Sequence, residues 1–129
     1  MPGKILIIED DQDMATVLAM RLTKADFVVR TAQDATFGVR EAHQFKPNLI
    51  ILDLGLPAGG GFAVLERVKL STHTNQIPIF VLTGSADDKA KEKAMQFGVQ
   101  AYIAKPYEFD ALLAEIHKVI EGKEKPPPP

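Results

Sequence analysis

The sequence contains no cysteine. This absence excludes disulfides, thiolate chemistry and zinc sites built on cysteine, although it fits either redox compartment. Long apolar runs are also missing, because no stretch reaches the roughly 18 to 20 residues of a membrane span. Residues 1–4 lead into a predicted strand without a signal-peptide pattern. We therefore expect a cytoplasmic chain with no membrane partner.

A large excess of charge of either sign is lacking as well. The chain has 15 Lys and Arg residues against 17 Asp and Glu residues, for a formal net charge of -2 at pH 7. Binding to DNA phosphates depends on a surplus of Lys and Arg, so we expect no direct binding of nucleic acid. With 129 residues, of which 46% are apolar and 25% charged, the composition is that of one globular domain.

Apolar runs alternate along the chain with helical patterns at a spacing of about 25 residues, which predicts five βα units. The runs are rich in Ile, Val and Leu without strict alternation, as is typical of parallel strands covered on both faces. The fourth helical pattern has the thinnest apolar face, so we expect that helix to be lightly anchored. The predicted strands are residues 4–8, 27–31, 48–52, 77–82 and 99–104, and the predicted helices are residues 13–25, 34–45, 61–71, 87–97 and 108–121.

The composition changes at the end of the chain. Residues 123–129 read Lys-Glu-Lys followed by four prolines. Consecutive prolines cannot continue a helix and favour an extended polyproline conformation. We therefore predict a domain over residues 1–122 and a charged, proline-rich linker or tail over residues 123–129.

Asp53 stands at the end of the apolar run 48–52, directly before the predicted loop Leu54-Gly55-Leu56-Pro57. Open parallel α/β sheets bind their ligands at the carboxyl ends of the strands. A carboxylate at this position is placed for reactivity, and the ends of the other strands test that idea.

The first strand ends in three adjacent carboxylates, Glu9-Asp10-Asp11. Their repulsion is tolerable mainly when solvent or a divalent cation neutralises it. The alternative interpretation is an acidic loop in which Asp11 or Asp13 caps the first helix. In a right-handed winding whose second strand flanks the first on the outside, the first and third strands are neighbours, so Asp10 would meet Asp53. A small pocket with two or three carboxylates and room for waters suits Mg²⁺.

Two further polar residues are predicted at the same edge of the sheet. The fourth strand is followed by Thr83 and Gly84, and the fifth strand by Lys105. Alone, Thr83 is explained as a capping or turn hydroxyl and Lys105 as a solvated surface lysine. Together with the carboxylates they supply a nucleophile, a metal site, a hydroxyl and a fixed positive charge, which are the groups that phosphoryl transfer uses.

The chain resembles a response-regulator receiver domain over residues 4–121. The resemblance implies a single α/β domain with the flavodoxin-like (βα)5 fold, a doubly wound parallel sheet in the strand order 2-1-3-4-5. The motifs that carry it are Ile-Leu-Ile-Ile-Glu-Asp-Asp from Ile5, Asp53-Leu54-Gly55-Leu56-Pro57 followed by Gly61, Leu82-Thr83-Gly84, and Lys105-Pro106.

The resemblance also implies a metal site and a modified residue. Asp53 would be the phosphoacceptor, and Glu9 and Asp10 would form the acidic pair beside it. Mg²⁺ is the expected cofactor, in a site formed by Glu9, Asp10, Asp53 and the carbonyl of Gly55. No other cofactor is expected.

The same resemblance assigns the remaining site residues. Thr83 and Lys105 would contact the phosphoryl group, and the Lys105-Pro106 peptide bond would be cis. Tyr102 falls at the position of a switch aromatic, which would rotate inward when the Thr83 hydroxyl moves toward the phosphoryl group.

The function implied is that of a signalling phosphoacceptor that assists its own phosphorylation and dephosphorylation, and not that of an enzyme. Phosphoryl groups would come from the phosphohistidine of a sensor histidine kinase or of a histidine phosphotransfer protein. A downstream output domain or effector would read the surface formed by the fourth helix, the fifth strand and the fifth helix.

Some positions depart from the pattern of regulators with winged-helix DNA-binding domains. Those regulators dimerise through complementary charges on the surface of the fourth and fifth helices. Here Gln100, Ala101 and Ala111 stand where charges are expected, and Glu115 has the wrong sign, so we do not expect that dimer. In this family the residues at Gly55 and Ser85 tune the lifetime of the acyl phosphate, and glycine at the first of them should leave the phosphoryl group open to water.

Two other functions fit part of the sequence. A phosphatase of the haloacid-dehalogenase type also uses a strand-end aspartate and Mg²⁺, but it needs a second carboxylate two residues later, where this chain has Gly55. A phosphorylation-independent interaction module on the same fold is the better alternative. Such modules usually lose part of the acidic pair, the aspartate or the lysine, whereas this chain keeps Asp53, Lys105 and both acidic residues.

Overall fold

The computed structural model describes residues 3–84 and 87–121, so Ser85 and the predicted linker or tail at residues 123–129 lie outside the described residues. Strands and α-helices alternate along these ranges. The strands are β1 (Lys4–Ile8), β2 (Val28–Ala32), β3 (Leu49–Asp53), β4 (Ile79–Thr83) and β5 (Ala101–Ala104). The helices are α1 (Gln12–Lys24), α2 (Ala35–Phe45), α3 (Gly60–Leu70), α4 (Asp88–Gln96) and α5 (Phe109–Ile120), with a short 3-10 helix, Pro57–Gly59, before α3.

The five strands form one parallel sheet in the order β2-β1-β3-β4-β5, which confirms the predicted topology. Residues from successive strands face each other in register, so the carboxyl ends of β1, β3, β4 and β5 lie side by side. Ile8 pairs with Leu52, Asp53 with Leu82, and Thr83 with Ala104. The strand order therefore brings the residues that follow these strands to one edge.

Helices cover both faces of the sheet, because alternate strand residues are apolar on either side. One core cluster joins Ile5, Ile7 and Ile51 to α1 and α5, through residues such as Leu22 and Ile116. A second cluster lies between the other face of the strands and α2, α3 and α4. No helix among the described residues is both long and apolar enough to cross a membrane.

The bounds of two strands differ from the predicted ones by two residues at the amino end. Before β4, the N–H of Ile77 donates to the carbonyl of Thr74 in a turn, and the following Pro78 has no N–H to give to a ladder. Before β5, Gly98 adopts a φ of 79°, which ends the turn after α4. The apolar residues at 77 and 99 thus enter the core from turns rather than from strands.

Local capping residues fix where α1 and α4 begin. Asp11 is the N-cap of α1 and accepts a hydrogen bond from the N–H of Met14 at 3.1 Å. Asp87 caps α4, accepting from the N–H of Lys89 at 2.9 Å. Ala94 is the one fully buried residue in α4, so this helix is as lightly anchored as its sequence predicts.

Candidate functional site

The site forms where β1, β3, β4 and β5 end. The N–H of Glu9 donates to the carbonyl of Ala32 at 3.0 Å and so extends β1 by one residue, which sets Glu9 beside Asp53. On the other side, the N–H of Lys105 donates to the carbonyl of Thr83 at 2.8 Å. Backbone pairing therefore positions these residues independently of their side-chain contacts.

Glu9, Asp10 and Asp53 bring one carboxylate oxygen each to within 4.8 Å of one another. Glu9 is buried, with 7% of its surface exposed, while Asp53 is half-buried and Asp10 is exposed. The predicted meeting of the first-strand carboxylates with Asp53 is therefore confirmed in the structure.

Lys105 is the cation of the site. Its Nζ donates to Oε1 of Glu9 at 2.9 Å and lies 3.6 Å from Oδ2 of Asp53. Burial by itself lowers the pKa of the Lys105 ammonium, but the hydrogen bond to Glu9 and the charges of Asp53 and Glu9 outweigh burial and raise it. Lys105 therefore stays positively charged, and the peptide bond to Pro106 is cis, as the resemblance implies.

Glu9 is the carboxyl group most affected by the fold. Burial, followed by the proximity of the Asp53 carboxylate, raises its pKa to about 7. Lys105 and the N–H of Asp11, which donates to Oε2 of Glu9 at 3.3 Å, act in the opposite direction. Repulsion among the carboxylates is thus only partly relieved by the lysine.

The two oxygens of Asp53 have different surroundings. Oδ1 accepts a hydrogen bond from the N–H of Gly55 at 2.9 Å, and Oδ2 faces Lys105. A Cβ atom placed on Gly55 would lie 3.4 Å from Oδ1 of Asp53, which is an ordinary contact distance. Gly55 therefore borders the carboxylate and has no side chain of its own to cover it.

The donor set fits a small divalent cation. All three clustered side chains offer hard oxygen ligands, which Mg²⁺ prefers, and exposed Asp10 leaves room for retained waters. Three carboxylates against one ammonium leave an excess of negative charge that a divalent cation neutralises. A cavity of about 20 Å³ also borders Glu9, Asp53 and Lys105, but Asp10 does not line it and most of its walls are apolar, so it is separate from the space that a cation would take among the three carboxylates. The carbonyl of Gly55 as a fourth ligand stays a prediction.

Thr83 and Tyr102 lie on the α4 side of the site. Thr83, the last residue of β4, is buried, with 3% exposed. Tyr102 pairs in register with Val81 and packs against the core cluster shared with α4. Its hydroxyl is buried and finds no hydrogen-bond partner among the described residues, while the Nζ of Lys91 lies 5.9 Å from the ring centroid. Their roles in switching stay predictions.

Met14 and Tyr107 are among the residues that line the cavity beside Asp53 and that the sequence did not predict for the site. Burial raises the pKa of the Tyr107 hydroxyl, although the charges of Lys105 and Arg21 act against this. Met14 is the third residue of α1, which begins at Gln12 after the Asp11 cap, so its closeness to the acidic run is the signal that the sequence offers for it. Nothing in the local sequence marks Tyr107, whose placement depends on the turn after β5.

Comparison with known proteins gives one consistent family. The family model described as "Response regulator receiver domain" matches residues 5–117. RpaA of Synechocystis, described as a DNA-binding dual master transcriptional regulator, is 32% identical over 124 residues, which cover 96% of this chain and 52% of that protein. The response regulator ArlR of Staphylococcus aureus is 33% identical over 117 residues, covering 91% of this chain and 52% of ArlR.

The chain thus spans about half the length of these curated relatives. Among solved structures, a CheY-like response regulator receiver domain protein from Methanospirillum hungatei matches with a TM-score of 0.87 and 26% identity. That match covers 97% of this chain and 98% of the other. Similarity of sequence and similarity of fold therefore extend over the same residues.

Proposed function

Since the chain belongs to the response regulator receiver domain family, we propose that Asp53 accepts a phosphoryl group from a phosphohistidine and that this modification switches the surface of α4, β5 and α5. The donor would be a sensor histidine kinase or a histidine phosphotransfer protein. As a receiver domain, the chain is a signalling phosphoacceptor and not a conventional enzyme. We further propose that an output domain or effector protein reads the switched surface.

The observation that carries the proposal is the unequal environment of the two Asp53 oxygens. The Gly55 N–H holds Oδ1, and Oδ2 lies 3.6 Å from the Lys105 ammonium. An oxygen of a carboxylate oriented in this way attacks phosphorus as a covalent nucleophile. The new O–P bond forms as the P–N bond of the phosphohistidine breaks, and the electron pair of that bond leaves with the imidazole. The product is an acyl phosphate on Asp53.

Lys105 supports this transfer through its charge. Its ammonium is held by Glu9 at 2.9 Å, next to the position that the phosphoryl oxygens would occupy. A point charge there stabilises the negative charge on those oxygens in the transition state. A Mg²⁺ held by Asp10, Asp53, Glu9 and the Gly55 carbonyl would neutralise the carboxylates and clamp the transferring oxygens.

The switch is proposed to run through Thr83 and Tyr102. The added phosphoryl oxygens are strong hydrogen-bond acceptors, and the Thr83 hydroxyl would move toward them. Because the buried Tyr102 hydroxyl has no hydrogen-bond partner among the described residues, its present position is poorly stabilised. Phosphorylation needs to change the relative free energy of the two arrangements of Thr83 and Tyr102 by only a few kcal/mol to change which arrangement dominates.

The test is to incubate the protein with Mg²⁺ and acetyl phosphate or beryllofluoride. We expect a mass increase of one phosphoryl group with acetyl phosphate, and a change in the tyrosine spectrum with beryllofluoride. Asp53→Ala should abolish both, whereas Asp26→Asn, which removes one carboxylate at the opposite end of the sheet, should abolish neither. If the folded wild-type protein shows neither response, the phosphorylation-independent interaction module becomes the better function.

A further inference from the structure

β2 is an edge strand of the sheet. It stands first in the order β2-β1-β3-β4-β5, and β1 is its one strand partner among the described residues. An exposed edge presents a row of unpaired N–H and C=O groups to which another extended chain can be added. At the opposite edge lies β5, which belongs to the switch surface, so β2 is remote from the proposed output.

Two backbone hydrogen bonds show which groups of β2 point away from β1. The N–H of Val28 donates to Gly3, and the carbonyl of Ala32 accepts from Glu9. In a parallel ladder the N–H and C=O of one residue point to the same side, and successive residues alternate. Val29 and Thr31 therefore direct both of their backbone polar groups to the outer edge.

A groove runs beside these outward groups. It measures about 480 Å³ and lies between α1 and the strand. Met20, an apolar residue with 59% of its surface exposed, forms one wall, and the side chain of Val29 forms part of the other. The remaining lining residues are Thr16, Ala19, Thr23, Lys24 and Thr31. A strand added to the outer edge of β2 would thus place every second side chain against this groove, which is lined by apolar and hydroxyl groups.

Arg30 sets the charge on the other face of the same edge. Its guanidinium is 3.0 Å from Glu41 and stacks 4.7 Å from the ring centroid of Phe45, yet its side chain stays 55% exposed. Glu41 offsets one positive charge on this face, but the Nζ of Lys4 lies over the same Phe45 ring, 5.4 Å from its centroid, so two cations stand against one carboxylate there. With Lys24 in the groove as well, a strand at this edge meets an excess of positive charge on both sides. Acidic side chains complement it.

From this edge, groove and charge we propose that β2 is a docking site for an extended segment of a partner protein, which adds as a sixth strand. The segment presents apolar residues to the groove at every second position, with acidic residues between them facing Arg30. Its main chain pairs with the outward N–H and C=O groups of Val29 and Thr31. Docking here is independent of phosphorylation at Asp53.

A second copy of this chain and the chain's own proline-rich end fit the edge less well. In a two-fold dimer, the outward groups of Val29 and Thr31 would all pair with those of the second copy, and the Arg30 residues of the two copies would then lie directly opposite each other. Like charges that face each other across two strands are destabilising. The four prolines among residues 126–129 have no N–H to donate, and Lys123 and Lys125 carry the same sign as Arg30.

The experiment is an NMR titration of the labelled full chain with the peptide acetyl-Val-Glu-Val-Glu-Val-amide. We expect amide shifts confined to residues 28–32 and to the groove-lining part of α1. Thr31→Pro removes one outward N–H and is tolerated on an edge strand, so it should weaken binding about tenfold. Thr31→Val, which keeps the N–H, should bind as the wild type does.

Two further controls separate the possible outcomes. Met20→Ser removes the apolar wall of the groove without adding charge and leaves the backbone of β2 unchanged, so it should also weaken binding. This variant keeps the test informative if Thr31→Pro does not fold. The same peptide with lysine in place of glutamate should bind at least tenfold more weakly. Asp53→Ala should bind the acidic peptide normally, so failure of the phosphoacceptor function would not affect this result.

The proposal is overturned if the shifts lie elsewhere, or if Thr31→Pro and Met20→Ser both bind like the wild type. A concentration-dependent dimer that Thr31→Pro abolishes would instead assign the edge to a second copy.

Discussion

Glu9 is the site residue whose ionisation the fold changes most. Its pKa is about 7 in the folded chain against an ordinary value of 4.5, because burial and the neighbouring Asp53 disfavour its charged form. Between these two pH values the folded state binds more protons than the unfolded state. The free energy of unfolding of the metal-free protein should therefore fall as the pH rises from about 4.5 to 7, by on the order of 3 kcal/mol.

The measurement is urea denaturation without metal at pH 5 and at pH 7.5. Glu9→Gln, which keeps the size of the side chain and cannot ionise, should remove most of the difference. Glu66→Gln, on the exposed surface of α3, should leave it intact. If the free energy of unfolding of Glu9→Gln still falls between pH 5 and pH 7.5 as it does in the wild type, the pH dependence belongs to another group.

Gly55 borders the carboxylate of Asp53. A Cβ atom at this position would lie 3.4 Å from Oδ1 of Asp53, so we expect a longer side chain there to cover part of the carboxylate. Because hydrolysis of an acyl phosphate needs a water molecule in line with the phosphorus, Gly55→Asn and Gly55→Arg should change the dephosphorylation rate by about tenfold, which corresponds to about 1.4 kcal/mol in the barrier.

The decay of acetyl-phosphate-labelled protein after removal of the donor measures this rate. Gly55→Ala adds only a Cβ atom at contact distance and should stay close to the wild type. An unchanged lifetime in both larger variants would show that Gly55 does not control water access.

At the scale of single elements, Asp11 decides where α1 begins. The sequence left Asp11 and Asp13 as alternatives, and the structure shows Asp11 accepting from the N–H of Met14. Asp11→Ala should lower the free energy of unfolding by about 1 kcal/mol. Asp11→Asn keeps an acceptor and should lose little, while Asp13→Ala should cost only a few tenths of a kcal/mol through the helix dipole. Equal losses in Asp11→Ala and Asp13→Ala would contradict this assignment of the cap.

Element types and their order could be predicted because the apolar pattern of the chain is consistent with its fold. β1 runs over the predicted residues, and Asp53 ends β3 as expected. The starts of β4 and β5 could not be placed, because the apolar residues Ile77 and Val99 pack into the core from turns that only tertiary contacts define. The requirement for glycine at position 61 also could not be predicted from local pattern. It arises because a Cβ atom on Gly61 would overlap the carbonyl oxygen of Leu54.

At the scale of the whole molecule, the site is a product of strand order. Glu9 and Lys105 are separated by 96 positions in sequence, yet their side chains form an ion pair at 2.9 Å. A right-handed parallel winding predicts this meeting from strand ends alone. The distances, the shift in the pKa of Glu9 and the involvement of Tyr107 depend on how deeply each side chain is buried, which the pattern of residue types does not specify.

Metal binding should connect the site to the stability of the whole domain. A ligand that binds only the folded state stabilises it by an amount set by its concentration relative to its dissociation constant, about 2.7 kcal/mol at a hundredfold excess. Mg²⁺ should therefore raise the melting temperature, since it relieves the repulsion among Glu9, Asp10 and Asp53. Asp10→Asn removes one charged ligand at an exposed position and should abolish most of this shift.

Asp26→Asn is the matched control, because it removes the same charge at the far end of the sheet. Asp26 adopts a φ of 73°, which asparagine tolerates well, so the backbone should not be strained by the substitution. Its Mg²⁺-dependent shift in melting temperature should equal that of the wild type. If Asp10→Asn and Asp26→Asn lose the shift to the same extent, the effect of Mg²⁺ is general screening of acidic residues and not binding at the three-carboxylate cluster.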